Sequence, residues 1–273
     1  MLRISLYTYP FFSRLNQYLP KATYSVMSRR TLSLLLSLLI AVSCSVPHQP
    51  TQLVFTHYKV NQQTAVDTGI QRMVKEYGAS MNIAMGKVIG FTNNYLYNKQ
   101  PESNLGNLLA DCIRQMAAKK FGRNVDAGFI NKGGIRGSLQ KGNITVGQVF
   151  EIMPFDNQVV LQEIKGAVFQ EFLNKTAADG GWPVSGTVKY LIKDKKAVQV
   201  MVNGKPLEEA ATYTIVNSDY VANGGSDCSM LKNIPKMNKG YLLRDAIIDY
   251  IIQTTGEGKP VEAKLENRVS YAN

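Results

Sequence analysis

The chain has 273 residues, with 31 Lys and Arg against 20 Asp and Glu, a net charge of +11, 45% apolar residues, three cysteines and two histidines. This composition excludes a disordered, collagen-like or coiled-coil chain, and a lone sustained apolar run near the N-terminus excludes a polytopic membrane protein. His48 and His57 are the whole histidine supply, too small for a His-rich catalytic metal centre.

Five of the basic residues, Arg3, Arg14, Lys21, Arg29 and Arg30, fall within residues 1–43, which hold no acid. The rest are scattered, with no Lys/Arg run interleaved with aromatics, so nucleic acid is not an expected partner. Arg29-Arg30 precede the apolar stretch Thr31–Val42 and then Ser43-Cys44, the pattern of an export signal. The stretch is shorter than the roughly 20 residues of a membrane-spanning helix. Ala41-Val42-Ser43-Cys44 resembles a bacterial lipobox, in which the cysteine becomes the lipidated first residue; the alternative is a plain secretory signal with an incidental Cys. Met27 would make an ordinary signal start, so residues 1–26 read as a mis-assigned extension. The expected organisation is a signal segment over 1–43, a Pro-rich lipoprotein tether over 44–57 and one domain over 58–273. Such a chain is exported and membrane-anchored in a bacterial cell envelope. In that oxidising setting Cys112 and Cys228 either pair or stay as buried thiols.

Apolar spacing predicts a helix over about 62–77, with Val66, Ile70, Met73, Val74 and Tyr77 on one face, and a strand over 81–91. A second helix is expected over 105–119 with Ser103 or Asn104 as its cap, then a short strand over 127–131. Further on come a strand over 158–164, a helix over 166–178 and strands near 189–192 and 198–202. Asn203-Gly204 is a hairpin turn, 212–217 a strand and 242–254 the last helix. Helices and strands are mixed, so the fold class is α+β, one domain with a mixed sheet flanked by helices.

Four loops carry chemistry. Lys99–Asn107 opens a helix, where free N–H groups favour an anion, although for this segment taken alone simple capping by Ser103 or Asn104 is the better reading. Asn131-Lys132-Gly133-Gly134-Ile135-Arg136 joins a glycine pair, which lets a ligand approach the backbone, to a guanidinium suited to phosphate or carboxylate. Met153–Asn157 sets Phe155 in a polar loop. Asn217–Asp227 sets Tyr220 before Gly224-Gly225. If Phe155 and Tyr220 share a slot, they can sandwich a base.

Glu102–Asp111 (ESNLGNLLAD), Asn131–Arg136, Gly142–Gly147 (GNITVG), Pro154–Asn157, Ser185-Gly186 and Asp219–Gly225 follow one another in the order and spacing of a known pattern. The chain resembles the 5′-nucleotidase C-terminal domain family over about 58–270. That resemblance implies phosphate contacts from Arg136 and Asn131, base stacking by Phe155 and Tyr220, and a base or sugar contact from Asn157. Lys99 lies where some members carry a phosphate-binding Arg. Lys132 departs from the family's Gly. Ser226 stands where the family has a ribose-binding Asp, so either Asp227 substitutes for it or sugar recognition weakens.

Complete enzymes of the family add a metallophosphoesterase domain with two metals, and this sequence shows neither its D-x-H nor its G-N-H-[DE] motif. The expectation is therefore a chain that holds no metal or cofactor itself. It would bind a nucleotide or related phosphate ester and work with a separate metallophosphoesterase that holds the divalent metals. The alternatives are a stand-alone nucleotide- or nucleoside-binding lipoprotein, and a degenerate domain with an assembly role.

Overall fold

The computed structural model describes residues 67–272. The signal segment, Cys44, the tether and both histidines lie outside the described residues. Among those described, no helix is long and apolar enough to cross a membrane.

The first helix, α1, runs Thr68–Met85, with Asp67 Oδ1 accepting from the N–H groups of Gly69 and Ile70. Its C-terminus lies beyond the expected one because Met81–Met85 continues the helix until Gly86, whose N–H closes on Asn82 O. The predicted strand over 81–91 therefore shrinks to β1, Val88–Thr92. Of the expected apolar stripe, Val66 lies outside the described residues, and Ile70, Met73, Val74 and Tyr77 stay on the surface, between 57% and 70% exposed.

Helix α2, Asn104–Phe121, is capped by Ser103 Oγ on the Gly106 N–H and ends at Gly122 in the left-handed region. The short strand β2, Ala127–Gly128, leads to a 3₁₀ turn at Lys132–Gly134. Strand β3, Gly142–Thr145, pairs antiparallel with β1 and runs into α3, Val146–Ile152. A reciprocal capping box between Thr145 and Gln148 starts α3, so the GNITVG segment sets the direction of that helix.

Strand β4, Gln158–Lys165, is followed by α4, Gly166–Ala178. The hairpin strands β5, Val188–Lys193, and β6, Lys196–Val202, come next, then β7, Lys205–Pro206, and β8, Thr212–Ser218. Asn203 and Gly204 both have positive φ, the geometry of the tight turn read from their sequence. Two short helices follow, α5 at Asp219–Ala222 and α6 at Ser229–Lys232, with a 3₁₀ turn at Gly225–Asp227 between them. Strand β9, Met237–Leu242, feeds α7, Leu243–Gly256, and β10, Val269–Tyr271, closes the fold.

The class is α+β, with mixed sheets flanked by helices rather than one continuous sheet. The central sheet has the order β2-β8-β4-β9, with β2 parallel to β8 and the other pairs antiparallel. A second mixed sheet has the order β10-β5-β6-β7. Pleating divides the core in two. Leu161 and Val216 join one buried cluster with α2 and α7. On the opposite face Ile164 and Ile215 join a second cluster with α4 and the second sheet. That second cluster is aromatic, with Phe172 edge-on to Phe129 and to Trp182 at centroid distances of 4.9 and 5.8 Å.

Cys112 belongs to the first cluster and Cys228 to the second, and both are free thiols. Burial pushes both upward, Cys228 to about 12, so neither is a nucleophile at neutral pH.

Candidate functional site

At one end of the central sheet, the turns leaving β2, α3 and β8 converge on a cavity of about 350 Å³. The turn after β2 supplies Asn131, Gly133, Gly134 and Arg136. The loop after α3 supplies Phe155 and Asn157, and the turn after β8 supplies Tyr220 and Ser226. Five of the seven residues expected at the site thus line one cavity.

Phe155 and Tyr220 are 42% and 49% exposed, in a protein whose other phenylalanines at 129, 169 and 172 are fully buried. Arg136 places its guanidinium carbon 5.2 Å from the Phe155 ring centroid, so the cationic and aromatic walls of the cavity touch. Gly225 is required beneath Tyr220, since a Cβ there would come within 2.5–2.6 Å of three ring atoms. The Tyr220 hydroxyl also accepts from the Ser226 N–H at 3.1 Å. One ring face therefore lies on the backbone of the 3₁₀ turn.

Two residues that the sequence did not single out hold the aromatic loops. Asp219 Oδ1 accepts from the N–H groups of Gln158 and Tyr220, at 2.9 and 3.0 Å, and so clips the Phe155 loop to the Tyr220 turn. Arg244 reaches up from α7, its side chain 8% exposed, and donates to Asp156 Oδ1 at 2.5 Å and to Met153 O at 3.4 Å. Its guanidinium lies 3.9 Å from the Phe150 ring centroid. The N–H of Leu243 donates to Asn157 O, fixing the far end of the same loop. A buried arginine at the start of the last helix is indistinguishable in sequence from a solvated one, so no local signal marks Arg244.

The other two expected site residues lie elsewhere. Asp227 is 91% exposed along its side chain and turns to Lys175 Nζ, 3.3 Å away. Lys175 is held well charged by its bond to Asp179 and, secondarily, by Asp227. Lys99 lines a separate cavity of about 190 Å³ together with Asn98, Gln100 and Lys132.

The ESNLGNLLAD segment forms structure rather than an open anion site. Asn104 Oδ1 accepts from the N–H groups of Tyr97 and Leu105. Asn107 donates to Glu102 and to Lys264 O, while Asp111 binds the Gly186 N–H and the buried Arg268. Ser185 Oγ accepts from the Gly128 N–H at 2.9 Å, so the Ser-Gly pair ties α2 to β2. Among the described residues, no group of three or more His, Cys, Asp or Glu side chains could hold a metal ion.

The model of the 5′-nucleotidase C-terminal domain matches residues 81–233, more than half of the chain. The chain belongs to this family. It is 26% identical over 159 residues to Protein UshA of Salmonella pullorum, an alignment covering 56% of the chain and 28% of that protein. It is 30% identical over 187 residues to the Cell wall protein Lmo0130 of Listeria monocytogenes, covering 62% of the chain and 24% of the relative. The crystal structure of a 5′-nucleotidase precursor from Thermus thermophilus superposes with a TM-score of 0.64 and 29% identity, over 74% of this chain and 43% of that one. The chain thus spans less than half the length of each.

Proposed function

We propose that this chain is the nucleotide-binding half of a 5′-nucleotidase-type phosphohydrolase. The observation that carries this reading is the single cavity in which Phe155, Tyr220, Arg136, Asn131 and Asn157 meet. A planar base stacks on Phe155 and Tyr220, and the Arg136 guanidinium with the Asn131 carboxamide holds the phosphate. Asn157 bonds the base or the sugar. Lys99, across the Lys132–Gly134 turn, adds positive charge on the phosphate side. The chain's own work is to bind and orient. The divalent metals that would supply hydroxide belong to a separate metallophosphoesterase, a donor set that two histidines cannot furnish.

Calorimetry with AMP on the mature chain tests the binding half of this reading. Micromolar affinity, near −8 kcal/mol, is expected, with a loss of tenfold or more in Phe155→Ala and in Arg136→Ala. Unchanged affinity in both variants would refute the pocket. Turnover is expected only after mixing with the metallophosphoesterase, and robust turnover by the pure chain with Mn²⁺, Zn²⁺ or Mg²⁺ refutes the division of labour. Binding without any reconstituted turnover leaves instead a stand-alone nucleotide-capturing lipoprotein.

The same reading places the protein in the bacterial envelope with its lipid on Cys44, in keeping with a relative described as a cell wall protein. Cys44→Ser should release it from the membrane fraction; retention of the variant there would count against the anchor.

A further inference from the structure

The three loops around the cavity contain three aspartates, and none of them lines it. Asp156 is bound to Arg244, Asp219 accepts the two backbone N–H groups that clip the loops together, and Asp227 faces Lys175. The groups that do line it are a guanidinium, two carboxamides, two aromatic rings, glycine backbone and the Ser226 hydroxyl. A ribose diol is read most strongly by a carboxylate, which accepts from the sugar hydroxyls, as acidic side chains do in dinucleotide sites. We infer that this cavity does not read the 2′-hydroxyl, so that ribo- and deoxyribonucleotides bind almost equally, and that Ser226 sets this tolerance. The inference rests on the nucleotide reading above and adds to it that the sugar is not selected at its 2′ position.

The backbone decides between Ser226 and Asp227. Both residues have left-handed φ, 55° and 58°. The Ser226 N–H is bonded to the Tyr220 hydroxyl, and its carbonyl accepts from the Cys228 thiol at 3.5 Å. Rotating the turn to bring Asp227 inward would break the bond that seats Tyr220 and separate Asp227 from Lys175. The serine direction and the aromatic platform are therefore one arrangement. The Ser226 hydroxyl or the Asn157 carboxamide can still bond one sugar hydroxyl, but such a neutral bond changes affinity only about threefold, whereas bonds to a carboxylate change it tenfold or more.

The test is a set of dissociation constants for AMP and 2′-deoxy-AMP, measured by calorimetry on the mature chain. In the native protein the two should agree within about threefold. Ser226→Asp puts a carboxylate on the cavity wall, at a left-handed position that Asp tolerates, and should raise the preference for AMP to tenfold or more. Asp227→Asn, at an exposed side chain, should leave the ratio where it was. A native preference for AMP of tenfold or more, or a ratio that collapses in Asp227→Asn, overturns the inference while leaving the nucleotide site standing. Failure of both nucleotides to bind removes the nucleotide reading, and this inference with it.

Discussion

Arg244→Met tests whether the site depends on a buried arginine behind it rather than on its lining alone. The substitution keeps an unbranched side chain but removes the guanidinium that binds Asp156 and Met153 O and lies on Phe150. The Asp156 pair contributes little, because that carboxylate is 78% exposed and water replaces the partner; about 0.5 kcal/mol is reasonable after screening. The stacking on Phe150 is worth about 1 kcal/mol at this depth, and the loosely bonded Met153 carbonyl adds a similar amount. Against these, the methionine gains some apolar contact, so the net loss is about 2 kcal/mol. For a domain of this size that lowers Tm by roughly 4–8 °C. The functional consequence should be larger than the thermal one. If only a tenth of molecules keep Phe155 and Asn157 in the binding arrangement, the apparent affinity for AMP falls tenfold. Differential scanning fluorimetry and calorimetry read the two effects separately, and Asp156→Asn, which keeps Arg244 in place, should alter both only slightly. A Tm loss of the expected size with AMP affinity within twofold of native would refute a positioning role for Arg244.

Gly225→Ala drives a methyl into the Tyr220 ring, so it should weaken AMP binding at least fivefold while moving Tm by only a few degrees; undiminished binding would show that the ring need not lie on the turn. Arg268→Met removes a guanidinium, 4% exposed, that binds Asp111, Glu266 and Val184 O; breaking such a buried set costs about 3–5 kcal/mol, read as a large fall in the urea midpoint, with AMP affinity little changed at low temperature. Alkaline lability should follow from Cys228 and Tyr190, which burial raises from 9.0 and 10.0 to about 12 each. Both folded and unfolded states hold these protons below pH 9, so stability is full there; above it the unfolded chain ionises first, and stability falls as pH rises toward 12. For Tyr190 alone the gap corresponds to roughly 2–3 kcal/mol, and a urea midpoint that stays flat between about pH 8 and pH 11 would contradict the burial assigned to these groups.

Local regularities of this fold are legible wherever one period dominates. Helix α4 starts and ends where its apolar spacing predicts, because Phe169, Phe172 and Leu173 all enter one core. The Asn203-Gly204 turn is equally plain, since positive φ at two successive positions favours those residues. The preceding turn at Asp194-Lys195 has the same geometry without a glycine, which is why the strands around it read as separate elements. The boundary between α1 and β1 misleads because Met81–Met85 satisfies both an alternating and a helical pattern, and only the closure at Gly86 separates them. Helix α3 passes unread although Thr145 and Gln148 form a capping box, a signal visible in the sequence. The division into separate sheets was out of reach, since β10 joins β5 across more than 70 residues and no local pattern encodes that pairing.

The site divides along a different line. Side chains whose chemistry declares itself, two aromatics in polar loops and an arginine after a glycine pair, could be named from type and order, and the fold gathers them around one cavity. What could not be named is any role that depends on direction. Asp227 is the plainest case. By composition a carboxylate one place beyond Gly225-Ser226 is a ready substitute for one at Ser226, and only the sign of φ at 226 and 227 shows that the carboxylate leaves for Lys175. Glu102, Asn107 and Asp111 show the converse, polar residues in a motif-like run whose hydrogen bonds go to Lys264, Glu266, Gly186 and Arg268. Arg244 belongs to no motif, and Asp219 opens one with no role of its own assigned to it, yet they hold the loops on which Phe155 and Tyr220 ride. Residue type thus says which groups can meet a ligand, whereas backbone sign and burial decide which of them do. Substitutions at 225, 226 and 244 should accordingly alter nucleotide binding more than a change at Asp227, the acidic residue that sequence alone would favour.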